Sequence, residues 1–240
     1  MGFVAQFVDG AIGMAGGVTA SAFLLSAGVP PAVVSAGVHT AKIGTAIPSG
    51  LAHWRLGHVD MKLMRRLAVP GMIGGVAGAL VASYLPVELL KPAVSIYLVV
   101  MGFAVLRRSW HPVERSDRHH ATASVVGAGG GFLDGVVGGG WGPIVTSSLI
   151  AHGAEPRIAI GTCNAAEFFV AAIVSATFAA TIGLGIWQVV VGLVIGGAVA
   201  APFAALATRH IPERPLMAVV GLAILLLAGS ALLRQFDLVG

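Results

Sequence analysis

Charge is what this chain has least of. Of 240 residues, 14 are Lys or Arg and 10 are Asp or Glu, together 10%, against roughly 25% in ordinary soluble domains. A chain so poor in charge and so apolar is excluded from the water-soluble classes. Cysteine is reduced to Cys163, which excludes an intrachain disulfide and a multi-cysteine metal site. The eight histidines form no His-Glu-x-x-His zinc motif, and no Gly-x-x-x-x-Gly-Lys-Ser/Thr phosphate loop occurs, so no energy-coupling ATPase domain is read in this chain. The opening Met1-Gly-Phe-Val-Ala-Gln-Phe7 has no basic stretch, and no removable signal peptide is expected.

What is present is hydrophobic side chain and glycine. Hydrophobic residues make up 57% of the chain and glycines number 34, with a mean hydropathy of +0.92. Uncharged runs extend over 10–41, 67–87, 168–208 and 215–233, and about 20 apolar residues suffice to span a bilayer as helix. The runs lack the alternation that barrel strands need. The sequence therefore predicts an all-α integral membrane protein. Its basic residues crowd into two short polar segments, a pattern of membrane orientation and not of nucleic-acid binding.

The sequence also repeats itself. Phe7-Val-Asp9-Gly10-Ala-Ile-Gly13-Met-Ala-Gly-Gly17 returns 125 residues later as Phe132-Leu-Asp134-Gly135-Val-Val-Gly138-Gly-Gly-Trp-Gly142, identical at five of eleven positions. The register continues through Gly28 and Gly153, and through Pro31 and Pro156. It then pairs Lys42 with Glu167, and at an offset of 126 it pairs Leu85-Pro86 with Ile211-Pro212. This predicts two homologous repeats, 1–107 and 121–240, joined by a basic cytoplasmic linker at 108–120. Each repeat holds four hydrophobic segments: 1–27, 32–53, 67–85 and 90–106, then 124–151, 157–181, 184–207 and 214–233.

Glycines interrupt the first segment of each repeat, and each interior glycine weakens a helix by about 1 kcal/mol relative to alanine. These segments are expected to be broken or re-entrant at their Gly clusters. If they re-enter, the Lys and Arg of the loops divide eleven to two between the membrane faces; if all eight segments span, nine to four. The re-entrant arrangement obeys the positive-inside rule better and makes the repeats inverted, as in many secondary transporters.

Four charged residues fall inside hydrophobic segments away from their ends: Asp9, Lys42, Asp134 and Glu167. An ion at mid-membrane costs at least a few kcal/mol, so each needs a partner or a wet cavity. The carboxylates either couple protons or serve structure, Asp9 and Asp134 as caps of a broken helix or near the membrane surface, and Glu167, like Lys42, in a structural salt bridge or snorkelling to an interface. Glycine breaks place backbone N–H groups and a positive dipole end inside the membrane, which favours an anion. Gly16, Gly17, Gly139 and Gly140 are thus candidates for lining a site, whereas Gly71-x-x-Gly74-Gly75-x-x-Gly78 reads as a helix-packing ridge. His39, Thr40 and Lys42 stand on the second segment, and Thr162, Cys163, Asn164 and Glu167 at matching places on the sixth. Spacing by four puts Ser35 beside His39 and Cys163 beside Glu167.

The glycine-rich first segments, the turns at Gly28-Val-Pro30-Pro31 and near 153–156, Val38-His39-Thr40-Ala41 and the Gly57-His58-Val59-Asp60 loop together resemble the sulfite exporter TauE/SafE family, also called the toluene sulfonate uptake permease family. The resemblance covers nearly the whole chain. It implies a multi-pass transporter of the bacterial inner membrane that moves sulfur-containing anions: sulfite, thiosulfate, sulfonates or organosulfur acids. The resulting expectation is secondary, proton-coupled transport of an anion held between the glycine breaks by His39, Thr40, Lys42 and Asn164, with Thr162 and Cys163 beside them. Asp9, Asp134 and Glu167 are the proton-coupling candidates. A passive anion channel, or an intramembrane metal-cation carrier using His39, Cys163 and the carboxylates, stays open. No enzyme activity, cofactor, resident metal or nucleic-acid partner is expected; the bilayer, protons and the anion are the expected partners, and a homodimer is compatible with the sequence.

Overall fold

A computed structural model of the chain describes residues 16–108, 119–152, 154–183, 190–196, 199 and 213–235. Asp9, most of the linker and most of the 184–207 segment lie outside the described residues. Among those described, the secondary structure is helical with no strand. The helices are α1 (Gly16–Ser26), α2 (Pro31–Arg55), α3 (Met61–Tyr84), α4 (Val87–Arg108), α5 (His119–Val137), a π-type turn (Trp141–Thr146) running into α6 (Ser147–Ala151), α7 (Pro156–Thr181) and α8 (Glu213–Gln235). Met61–Tyr84, Val87–Arg107 and Ile158–Thr181 are each long and apolar enough to cross a membrane. Ile73, Phe103, Val125 and Leu226 are between 60% and 77% exposed. Outward apolar side chains on so many helices fit a lipid surround, not water.

Starts and stops follow local chemistry. Asp60 caps α3, its carboxylate accepting from the N–H groups of Lys62 and Leu63 at 2.8 and 3.0 Å. Asp60→Ala should lower the stability of purified protein by about 1 kcal/mol, measured as a thermal melt in detergent. Pro156 opens α7 at a position where the missing N–H costs nothing. α5 ends because Gly138 takes φ +82°, a conformation that glycine adopts without penalty; a side chain there would also strike the Ser35 backbone.

Close contacts fix the directions of the helices. Gly127, Gly131 and Gly135 of α5 lie against the carbonyls of Leu67, Gly71 and Gly75 of α3, so α3 and α5 run parallel along facing glycine ridges. Gly75 touches Val174, and the Ser83 and Thr181 hydroxyls meet at 2.8 Å; with Gly161 against His58, α7 runs parallel to α3 too. α2 is antiparallel to α7, since Gly50 faces Ala165 while Thr40 reaches Ser175. α8 is antiparallel to α4, since Gly221 faces Leu106 and Gly102 faces Leu225. Because α5 and α7 both run with α3, the chain between them must return to the end it left. Val145 indeed packs on Gly130. The 124–151 segment is therefore a hairpin whose bend, Gly138–Gly140, is buried in the bundle.

Candidate functional site

Asp134 sits one residue before Gly135, which lies against Gly75, midway along α3. It is completely buried, and three donors and the His39 ring converge on its carboxylate. Oδ1 accepts from the backbone N–H of Gly140 at 2.6 Å and of Trp141 at 3.1 Å, and lies 3.5 Å from Lys42 Nζ. Oδ2 lies 3.0 Å from His39 Nε2. The bend of the hairpin thus wraps around its own aspartate: the chain turns at Gly138 and the next helical turn begins with its N–H groups on the Asp134 carboxylate. This is both a helix cap and an ion-pair centre.

His39 is also completely buried, and its neighbours settle its protons. The Ser35 hydroxyl donates its one hydrogen to the Gly135 carbonyl at 2.6 Å. Toward His39 Nδ1, Ser35 therefore offers only acceptors, its carbonyl at 2.9 Å and its Oγ at 3.3 Å. Nδ1 must carry hydrogen, since an acceptor can only be met by a donor. The contact between Nε2 and Asp134 then needs one more proton, on either the ring or the carboxylate. The pair holds one transferable proton and is neutral as a unit.

Lys42 stands three residues, slightly less than one turn, beyond His39 and binds Glu167 Oε1 at 2.6 Å. Each is the twelfth residue of its helix, counted from Pro31 and Pro156, and the antiparallel crossing of α2 and α7 brings these mid-helix positions together. Both side chains are 17% exposed, whereas His39 and Asp134 are sealed. The centre thus has an inner, closed pair and an outer, partly accessible one, with Lys42 touching both.

The two glycine clusters meet here. A Cβ on Gly17 would stand 2.9 Å from Gly139 Cα and 3.1 Å from Lys42 Cε, and one on Gly139 would strike Gly17 and Val18. Gly17 of α1 therefore lies against the bend of the hairpin, backbone to backbone, with no space between it and Gly139. Ser21 ties the contact by donating to the Val137 carbonyl at 2.9 Å.

The remaining candidates are distributed around this centre. Thr40 is half-buried, donating to the Ala36 carbonyl at 2.8 Å and lying 3.3 Å from the Ser175 hydroxyl. Asn164 is half-buried on α7. Thr162 lies toward the end of the bundle, where its hydroxyl accepts from the Asp60 N–H at 3.0 Å. Cys163 is buried; its carbonyl accepts from the Trp141 indole at 3.1 Å and its thiol pairs with Thr146. Among the described residues, no three of His, Cys, Asp and Glu are grouped so as to hold a metal ion. Sequence reasoning did not single out Tyr97 of α4, whose hydroxyl would lie 3.0 Å from a Cβ on Gly140. The signal available was that it is one of only two tyrosines and lies mid-span.

Comparison with known proteins gives a consistent picture. The family model described as sulfite exporter TauE/SafE matches residues 1–231. A protein of Bacillus subtilis (strain 168) named probable membrane transporter protein YtnM is 36% identical over 247 aligned positions, covering 98% of this chain and 82% of the relative. A probable membrane transporter protein, ORF9, of Sinorhizobium sp is 32% identical over 147 positions, 58% of this chain and 54% of the relative. No solved structure matches the chain.

Proposed function

Because the chain belongs to the sulfite exporter TauE/SafE family of membrane transporters, we propose that it is a proton-coupled secondary transporter of small sulfur oxyanions in the bacterial inner membrane. The observation that carries this reading is the shared lysine: Lys42 binds an inner carboxylate, Asp134, and an outer one, Glu167, at mid-depth. Protonation of Glu167 releases Lys42 to an arriving anion. When Lys42 leaves Asp134 for the anion, Asp134 takes the proton from His39 Nε2, leaving a neutral acid against a neutral imidazole. The buried carboxylate is then never charged and alone, a condition that would be prohibitive in low dielectric. Gly17, where a Cβ would stand 3.1 Å from Lys42 Cε, lies beside the outer pair, and with Gly16, Thr40 and Asn164 it is assigned to the anion's surroundings. Gly139 and Gly140 hold Asp134 in place.

In this reading the two halves are inverted repeats that rock against each other. Support comes from the starts of α2 and α7 at Pro31 and Pro156, which are 125 residues apart, the repeat offset. The matched pairs α2 with α7, and α4 with α8, are each antiparallel, as inversion requires. Flux of sulfite and thiosulfate into proteoliposomes, with and without an imposed proton gradient, tests the proposal. Flux should follow the gradient and be lost in Lys42→Ala. Flux indifferent to the gradient would make the protein a channel, and no flux of either anion from folded protein would remove the substrate class.

A further inference from the structure

Tyr97 approaches the centre from α4, a helix that supplies none of the charged groups. Its ring packs on the main apolar core, but its hydroxyl is buried and has no hydrogen-bond partner among the described residues. The hydroxyl is next to the bend, 3.0 Å from where a Cβ of Gly140 would be, and it feels the charges of both Asp134 and Lys42. Asp134 Oδ1, on the Gly140 side, already receives two backbone N–H groups and faces Lys42. A buried hydroxyl left unpaired is a standing cost, and phenylalanine would fill the same space without it. Buried polar groups without partners are rare enough to require a reason.

Given an oxyanion at Lys42, as proposed above, we infer that the Tyr97 hydroxyl is an oxygen-recognition subsite that donates to the bound anion. A neutral O–H suits this position. It gains a charge-assisted bond when the anion arrives and, unlike a second cation, leaves Asp134 and Lys42 in balance before it does. Gly140 serves the same subsite by having no side chain to cover the hydroxyl. The repeat register places Ala223 opposite Tyr97 in the second half, so the contact is made from one side only and orients the anion.

The test is Tyr97→Phe, read by two measurements on purified protein. In proteoliposomes, KM for sulfite should rise by about 10- to 100-fold, the loss expected for one hydrogen bond to a charged group, with maximal flux little changed. In detergent, the melting temperature without anion should be unchanged or higher, because an unpaired buried hydroxyl has been removed, while the added stabilisation by sulfite shrinks. An unchanged KM in a protein whose wild type transports sulfite would overturn the subsite alone. So would a lowered melting temperature with normal KM, which would make the hydroxyl a structural group. If the wild type neither transports sulfite or thiosulfate nor is stabilised by them, the transport reading and the subsite fall together.

Discussion

Asp134→Ala should cost about 3–5 kcal/mol, the range for removing one member of a buried ion pair, and should leave little folded protein after extraction into detergent. The substitution strips the acceptor from the Gly140 and Trp141 N–H groups and the partner from His39 Nε2, so the bend and the inner pair fail together. Asp134→Asn separates structure from transport. Asparagine has the same shape, and its side-chain oxygen still accepts from Gly140 and Trp141. Its amide N–H donates to His39 Nε2, which is then unprotonated, while Nδ1 keeps its hydrogen on Ser35. The site closes with the same net charge and without a transferable proton. Stability should stay within about 1 kcal/mol of the wild type, roughly one neutral hydrogen bond. Transport should fall by about a hundredfold or more, the lower range for loss of a positioned proton donor. Thermal melts and proteoliposome flux on the two variants decide the matter. Wild-type flux in Asp134→Asn would reduce Asp134 to the helix cap that the sequence also allowed.

Much of this centre was legible as composition and register. Lys42, Asp134 and Glu167 stood out because charge in an apolar run has to be accounted for, and Ser35 and His39 because they are spaced by four. Two things were not legible. One is depth and crossing: Thr162 stands in one run with Cys163 and Asn164, yet the parallel packing of α3 and α7 sends it to Asp60 at the end of the bundle. The other is closure of the two glycine breaks on each other, which leaves no room between Gly17 and Gly139 for the anion that sequence symmetry alone would place there. Helix boundaries show the same division. The expected 67–85 segment begins at Met61, since hydropathy registers only the hydrocarbon core while the helix continues through Lys62, Arg65 and Arg66 into the polar layer. The expected 124–151 segment is already helical at His119 and breaks at its Gly cluster, where a break was expected; hydropathy alone cannot tell a span from a hairpin of equal apolarity.

The glycine ridge between α3 and α5 offers the sharpest contrast, since three adjacent residues have three different surroundings. A Cβ on Gly129 would meet nothing within 4 Å; on Gly130 it would meet the Val145 side chain; on Gly131 it would meet the Gly71 carbonyl and backbone of the facing helix. Gly129→Ala should therefore stabilise the protein by about 0.5–1 kcal/mol, the helix-propensity difference with no packing cost. Gly131→Ala gains the same propensity but needs space that only backbone movement can make. Separating α3 from α5 at that point also lifts Gly127 and Gly135 from Leu67 and Gly75, so the loss spreads along the ridge. About 3 kcal/mol of net destabilisation is expected, the upper range for overpacking. Gly130→Ala should fall between them, because a valine side chain can shift where a carbonyl cannot. Melting temperatures of the three purified variants give the order directly. The order also bears on transport, because the face of α5 that carries Gly131 and Gly135 sets the height of Asp134. Gly131→Ala should disturb the coupling centre a turn away, whereas Gly129→Ala, pointing outward, should melt higher and transport normally. Equal effects at 129 and 131 would mean that α3 and α5 do not meet along this face, and the parallel pairing that makes the hairpin re-entrant would have to be abandoned.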